Sequence, residues 1–323
     1  MIQVVSLIPP PPKWQKLLNR VCKEEKFQYG FEFTNDLDSE NFINAEAMIA
    51  GAFQSDHLKK AKKLKFLQVP FAGTDKIDLE NLKKNGILVA NSHENSMSVA
   101  EHGIMFLLAL TKNLINQDND LRKGIWHGWV ARETNYELNG KTLGIIGLGN
   151  IGYKMALKAK CFGMRVIGIK KDPKKGRDRL SNVVDSVYSV SDLNILIKKS
   201  DFIFISVPST KTTKGMISEK ELRLMKGKYL INVSRGNIIN EKELFVALKN
   251  NYLKGAAIDT WYNYPKEGNV ALPSQYPFHE LRNIIMTSHA AGYTSECLER
   301  NWVFSFQNIA NFFNQRRIKN LVT

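Results

Sequence analysis

The stretch KTLGIIGLGNIG, residues 141–152, decides the reading of the chain. A short apolar run at 143–146 delivers three glycines, Gly147, Gly149 and Gly152, to a segment with helical apolar spacing at Met155, Ala156, Leu157, Ala159 and Phe162, which stops at Gly163. This order predicts a strand, a tight turn, and a helix whose first N–H groups point at a pyrophosphate. Gly147 permits the turn, Gly149 lets the backbone come close to phosphate, and Gly152 lets helix and strand pack together. Glycine-rich turns are common, so the spacing gains its meaning from the strand before it, the helix after it and a second strand at 165–169.

Outward from this point, strand candidates recur at 183–188, 201–207, 229–233, 255–259 and 283–287, alternating with helical segments such as 218–225 and 241–249. That pattern predicts a doubly wound parallel α/β sheet. Before it, apolar runs at 2–8, 47–50, 66–69 and 87–90 predict a smaller parallel sheet with crossover helices. From Asn95 the chain reads NSMSVAEHGIMFLLALTKNL, a long buried helix with Ser96 as its cap, joining the two domains. The tail at 295–313 places Leu298, Trp302, Phe306, Ile309, Ala310 and Phe313 at helical spacing, so it packs on a domain already built.

At 323 residues with 43% hydrophobic content the chain can fill two cores. It contains no run of eighteen or more apolar residues, and MIQVVSLIPPPPK lacks a basic start and a small-residue cleavage site. Neither membrane span nor signal peptide is expected, and the reading is cytoplasmic. Cys22, Cys161 and Cys297 are far apart, which predicts a reduced compartment and no metal site, with Cys161 and Cys297 buried. The net charge of +15 is spread over scattered lysines with no basic run interleaved with aromatics, so neither nucleic acid nor membrane is expected as a partner.

Four further segments, in order, carry a resemblance. NSMSVAEH (95–102), GLGNIG (147–152), INVSRG (231–236) and TSHAAGYT (287–294) together resemble the D-isomer-specific 2-hydroxyacid dehydrogenase family. FLQVPFAGTDKID (66–78) is similar to its substrate-domain loop and VPSTKTTKGMIS (207–218) to its cofactor loop. The resemblance covers nearly the whole chain. It implies a flavodoxin-like discontinuous substrate domain, residues 1–96 and 291–323, with a Rossmann-type dinucleotide-binding domain, 97–290, inserted.

The reaction so implied is hydride transfer between a nicotinamide and C2 of a 2-keto or 2-hydroxy acid. Arg235 suits the substrate carboxylate and keto oxygen, because a guanidinium stays charged and offers a planar fork of donors. His289 is the expected acid/base, since imidazole titrates near neutral pH. In the family a glutamate from a D-V-F-x-x-E-P segment hydrogen-bonds that histidine; here the segment is DTWYNYP, and Tyr264 stands at the glutamate position. A neutral phenol can orient the ring but supplies no negative charge, which predicts a histidine near the ordinary value of about 6.5 and reduction favoured toward acid pH. Glu267 or Glu280 reaching in from the same connection is the alternative. Phe71, Ala72, Gly73 and Thr74 are expected to meet the substrate carboxylate through backbone N–H groups, with 51–54 opposite. An aromatic crowd, Phe53, Phe71, Trp126, Trp261, Tyr262 and Tyr264, fits a larger pocket or hinge packing. Among the remaining histidines, His57 and His127 read as loop residues with a chance of lining that pocket, and His102 as a residue packed or satisfied beside Glu101 on its helix.

For the cofactor, the resemblance assigns Asn150 and Ile151 to the pyrophosphate, Pro208 and Thr210 to the adenosine, Asp259 to the nicotinamide carboxamide, and Ser234 and His289 to its neighbourhood. Relatives that use NAD carry an aspartate after the second strand. This chain has Lys170 and Lys171, which favours the 2′-phosphate of NADP; Asp172, two places on, is the route to NAD. The family also includes a corepressor, so a non-catalytic nucleotide sensor is the competing function. The helix from Met97 and the Trp126 and Trp129 loop resemble the face by which relatives form homodimers.

Overall fold

The computed structural model describes residues 2–126, 128, 134–174, 176–266 and 270–322. The chain forms two compact units, Met1–Asn95 with Tyr293–Thr323, and Ser96–Gly292.

The first unit holds five parallel strands, β1 (Gln3–Ser6), β2 (Gly30–Phe33), β3 (Ala47–Ile49), β4 (Phe66–Gln68) and β5 (Leu88–Ala90), in the order β2-β1-β3-β4-β5. Val4, Val5, Met48, Ile49, Phe66, Leu67 and Val89 have no exposed surface, because helices cover both faces of the sheet. One of those helices is the tail, Ser295–Phe313, whose Trp302, Phe306, Ile309 and Ala310 share a core with Val4, Ile49 and Phe66. Beyond it, Leu321 bridges Ala90 in antiparallel fashion and the Val322 N–H donates to the Val89 carbonyl at 2.9 Å. The tail thereby covers an edge strand that would otherwise present unpaired backbone groups. β2 has no counterpart among the sequence-based strands.

The second unit holds seven parallel strands, β6 (Thr142–Ile146), β7 (Arg165–Ile169), β8 (Ser186–Tyr188), β9 (Phe202–Ile205), β10 (Tyr229–Asn232), β11 (Gly255–Ile258) and β12 (Ile284–Met286). Their order, β12-β11-β10-β9-β6-β7-β8, reverses direction between β6 and β9 and so opens a ligand crevice at the carboxyl ends of those strands. The helix Ser96–Thr111 buries Val99, Ala100, Phe106 and Leu107 against this sheet. Ser96 is already helical there and is not the cap. At Gly103 a Cβ would come within 2.7 Å of the Phe204 ring, so only glycine allows this close a packing. Among the described residues no helix is long and apolar enough to cross a membrane, and no cluster of three His, Cys, Asp or Glu could hold a metal ion. Cys297 is buried, but Cys161 is exposed, because it falls on the outer face at the end of helix Asn150–Cys161.

Candidate active site

The glycine turn begins where β6 ends. Gly147 has φ 107°, a conformation that excludes a side chain, and its N–H and that of Leu148 both donate to the Ile169 carbonyl. Gly152 sits on the first turn of the following helix, where a Cβ would lie 2.2 Å from the Gly147 carbonyl oxygen. Gly149 behaves differently. A Cβ there would meet nothing within 4 Å, so the backbone at the start of helix Asn150–Cys161 faces open space, as a phosphate cradle requires. Asn150 and Ile151 open that helix with their N–H groups toward its unpaired end. Across the crevice the Ser206 hydroxyl donates to the Gly147 carbonyl at 2.9 Å, locking the two strand ends that flank the switch.

The 208–213 loop beside it is held by its own hydroxyls: Thr213 Oγ1 donates to the Pro208 carbonyl at 2.6 Å, and the Thr210 N–H donates to Thr213 Oγ1 at 2.8 Å. After β7, Lys170 and Lys171 begin a turn in which the Asp172 carboxylate accepts the Lys174 N–H at 3.0 Å. Arg179, unremarked in the sequence, stacks its guanidinium 3.9 Å from the centroid of Tyr153, one residue beyond Gly152. Ser234 is 7% exposed and its hydroxyl donates to the Val207 carbonyl, so it ties the β9 and β10 ends together.

Arg235 follows β10 at the same edge. Its Nη1 donates to the Ser234 carbonyl at 2.8 Å, and the Asn232 side chain donates to the Arg235 carbonyl at 2.9 Å. Gly236 is required next, because a Cβ would lie 2.5 Å from the Trp261 carbonyl oxygen. His289 lies three residues past β12 with φ 60°, the left-handed region that costs a β-carbon-bearing residue about 1 kcal/mol or more. Tyr264 reaches it: the phenol oxygen is 2.9 Å from His289 Nδ1 and the rings are 5.6 Å apart at 65°. The segment that carries Tyr264 is anchored by Trp261, which is 7% exposed and donates through Nε1 to the Thr287 carbonyl at 2.8 Å. Tyr262 is packed beside it, and burial pushes its phenol pKa up.

Several expected site residues have partners or positions of their own. Asp259 has no exposed surface, and its carboxylate accepts from Thr287, Ala290 and Ala291, so the side chain holds the turn that carries His289. Glu280 closes a 3-10 turn (Phe278–Glu280) leading into the amino end of β12, whereas His289 leaves its carboxyl end. Glu267 lies outside the described residues, as do His127 and Trp129. His57 is a cap rather than a loop residue: its Nδ1 accepts the Gln54 N–H at 3.2 Å at the start of helix Ser55–Lys60. His102 is packed, edge-on to Phe106, and its polar contact is to Thr287, at 3.2 Å, rather than to Glu101. Of the aromatic crowd, Phe53 and Trp261 are core residues, and Trp126 is 81% exposed near the amino ends of β10 to β12, the opposite edge of the sheet from His289.

Within the first unit, Phe71 is 40% exposed and lies over Gly51, where a Cβ would meet the ring at 2.6 Å. The carbonyls of its loop are tied from one side, with the Asn91 side chain donating to the Ala72 carbonyl at 2.8 Å and the Ser92 N–H to that of Phe71. Asn91 is a further residue the sequence did not single out.

Residues 104–291 match the family model of the D-isomer specific 2-hydroxyacid dehydrogenase, NAD binding domain. The chain belongs to this family. The 2-hydroxyacid dehydrogenase fold, with a Rossmann-type parallel sheet and a second parallel α/β unit, is thus shared with relatives of several activities. A D-3-phosphoglycerate dehydrogenase of Methanocaldococcus jannaschii is 37% identical over 75% of this chain, which spans 44% of that relative's length. A glyoxylate reductase of Thermococcus litoralis is 33% identical over 85% of this chain and 82% of its own. An acyclic imino acid reductase, solved with NADPH and D-Arg, superposes with a TM-score of 0.81 at 30% identity over 99% of this chain and 100% of its own. As a member of this family, the chain has a nicotinamide dinucleotide site, which the open face at Gly149 and the helix start after it fit.

Proposed function

We propose that the protein is an NADP-preferring oxidoreductase that interconverts a 2-keto acid and its 2-hydroxy acid. The observation that carries this is the 2.9 Å contact between Tyr264 and His289 Nδ1 at the carboxyl edge that also bears Arg235. Nδ1 is engaged by the phenol, and Nε2 is the ring nitrogen this reading assigns to the substrate. When bound, the nicotinamide supplies hydride to C2 of the acid. Arg235 binds the substrate carboxylate and polarises the oxygen on C2, while His289 Nε2 gives that oxygen its proton and takes it back in the reverse direction. By the family resemblance, Phe71, Ala72, Gly73 and Thr74 of the first unit are assigned to substrate binding through backbone N–H groups. Lys170, Lys171 and Arg179 favour a 2′-phosphate, and Asp172, its carboxylate used within its own turn, is poorly placed to select the bare ribose. The protein acts in the cytoplasm as a homodimer joined through the exposed apolar side chains Leu114, Leu121, Ile125 and Trp126.

A second reading is favoured by Tyr264. A phenol does not stabilise imidazolium as a carboxylate does, but a 2-imino acid protonated on nitrogen brings its own proton. Hydride addition to its carbon then yields the amino acid with no proton donor, and His289 has only to orient the substrate. The similarity to the imino acid reductase supports this reading. Both readings are tested by following NADPH and NADH oxidation with a panel of 2-keto acids, with and without ammonium, and identifying the product. Turnover without ammonium, lost in His289→Asn, is expected for the keto acid reaction. Ammonium-dependent turnover that survives His289→Asn would transfer the assignment to imino acids, and cofactor binding without any turnover would refute both.

A further inference from the structure

Behind the turn that carries His289 runs a line of polar side chains that the proposed chemistry does not use. His102, on the helix Ser96–Thr111, has a side chain only 16% exposed and stands edge-on to Phe106. Its Nε2 lies 3.2 Å from Thr287 Oγ1, and Thr287 Oγ1 lies 2.5 Å from Asp259 Oδ1. A hydroxyl has one proton, and facing a carboxylate it must donate it there. Toward His102 the Thr287 oxygen is therefore the acceptor, so the imidazole must carry its hydrogen on Nε2. The direction of the whole line is fixed: His102 donates to Thr287, which donates to Asp259.

The line ends on backbone. Asp259 Oδ1 also accepts the Ala290 N–H at 2.9 Å and Oδ2 the Ala291 N–H at 3.2 Å, while the His289 N–H donates to the Asp259 carbonyl at 2.7 Å. These bonds clamp the three residues of the left-handed turn, a conformation that persists only where its surroundings hold it. The orientation of the Asp259 carboxylate sets the turn, and Thr287 and His102 set the carboxylate. We propose that His102 is a positioning residue for His289, acting through Thr287 and Asp259. The proposal rests on reading His289 as the acid/base. Burial holds the His102 imidazole below its ordinary value, with Asp259 pulling the other way, which keeps it neutral with Nε2–H at physiological pH. Glu101, the neighbouring acid on the same helix, is paired with Lys158 at 3.1 Å.

The test uses the full chain with His102→Leu and His102→Gln, glutamine placing a donor nitrogen where Nε2 stands. In His102→Leu, amide hydrogen exchange at Ala290 and Ala291 is expected to speed up by about tenfold, the scale of one hydrogen bond, and kcat to fall similarly, with KM and cofactor affinity little changed. His102→Gln should restore both. A long-range nitrogen–proton spectrum of the wild type should show His102 protonated on Nε2. Unchanged exchange in His102→Leu, a glutamine variant no better than leucine, or an Nδ1–H tautomer would each overturn the proposal. Exchange and tautomer do not depend on turnover, so they decide the matter even if no substrate is reduced, and the wild-type tautomer and glutamine variant decide it if His102→Leu does not fold.

Discussion

At Tyr264 this protein departs from the catalytic pattern its family resemblance implies. The phenol keeps the geometric service of the glutamate, a partner 2.9 Å from His289 Nδ1, and omits its charge. Removing the hydroxyl in Tyr264→Phe takes away the contact to Nδ1, and kcat for keto acid reduction is expected to fall by about tenfold with cofactor affinity unchanged, as steady-state kinetics and a cofactor titration would show. Tyr264→Glu restores the charge. A carboxylate at this distance favours imidazolium, so the pH at which keto acid reduction declines should rise by about one unit or more, and an unmoved pH–rate profile would show that the dyad does not govern proton transfer. Thr260, beside Asp259, makes the opposite kind of point. It has no exposed surface and among the described residues its hydroxyl finds no partner, which costs about 1–3 kcal/mol without serving the site. Thr260→Val should raise the thermal midpoint with activity intact; a lower midpoint would mean that the hydroxyl is satisfied after all.

The elements that read clearly in the sequence are those whose local pattern is enforced by complete burial. β6, β9 and β10 contain continuous apolar runs, at 143–146, 202–205 and 229–231, because helices cover both faces of the sheet, and the order of glycine turn, Arg235 and His289 along the chain becomes a row of strand ends. β2 escaped notice for the converse reason: GFEF pairs only with β1, at the edge, and stays partly exposed, so its run is short and interrupted by Glu32. The line from His102 through Thr287 to Asp259 escaped because it joins residues from three elements far apart in sequence, which no local spacing encodes. The glycine turn shows how little slack such elements have. In Gly152→Ala the new methyl meets the Gly147 carbonyl oxygen, which is backbone and cannot swing aside. A loss of about 1–3 kcal/mol in chemical denaturation is expected, together with weakened dinucleotide binding; wild-type values for both would mean that strand and helix separate more readily than this packing implies.

Among the described residues, each of the two units contains one half-buried imidazole that burial holds below its ordinary value, His93 in the first and His102 in the second. Glu94 opposes the effect at His93 and Asp259 at His102, in each case as the smaller influence. The exposed ion pairs, such as Lys59 with Asp56 and Arg122 with Asp118, contribute little beside this, because water screens them. The sign follows from proton uptake. A histidine whose folded pKa lies below its unfolded value of about 6.5 binds more protons unfolded than folded in the interval between the two. Its stabilising contribution is whole above about pH 6.5 and is lost as the pH falls toward the folded value. Urea midpoints should therefore be level from about pH 8 to 7 and drop between about 6.5 and 5, before most carboxylates begin to protonate near about 4. Replacing both histidines with glutamine should flatten that drop while leaving the later carboxylate-driven loss in place. A wild-type midpoint that stays level down to about pH 5 would mean that the two imidazoles take up their protons in the folded state as readily as in the unfolded one, against the burial that surrounds them.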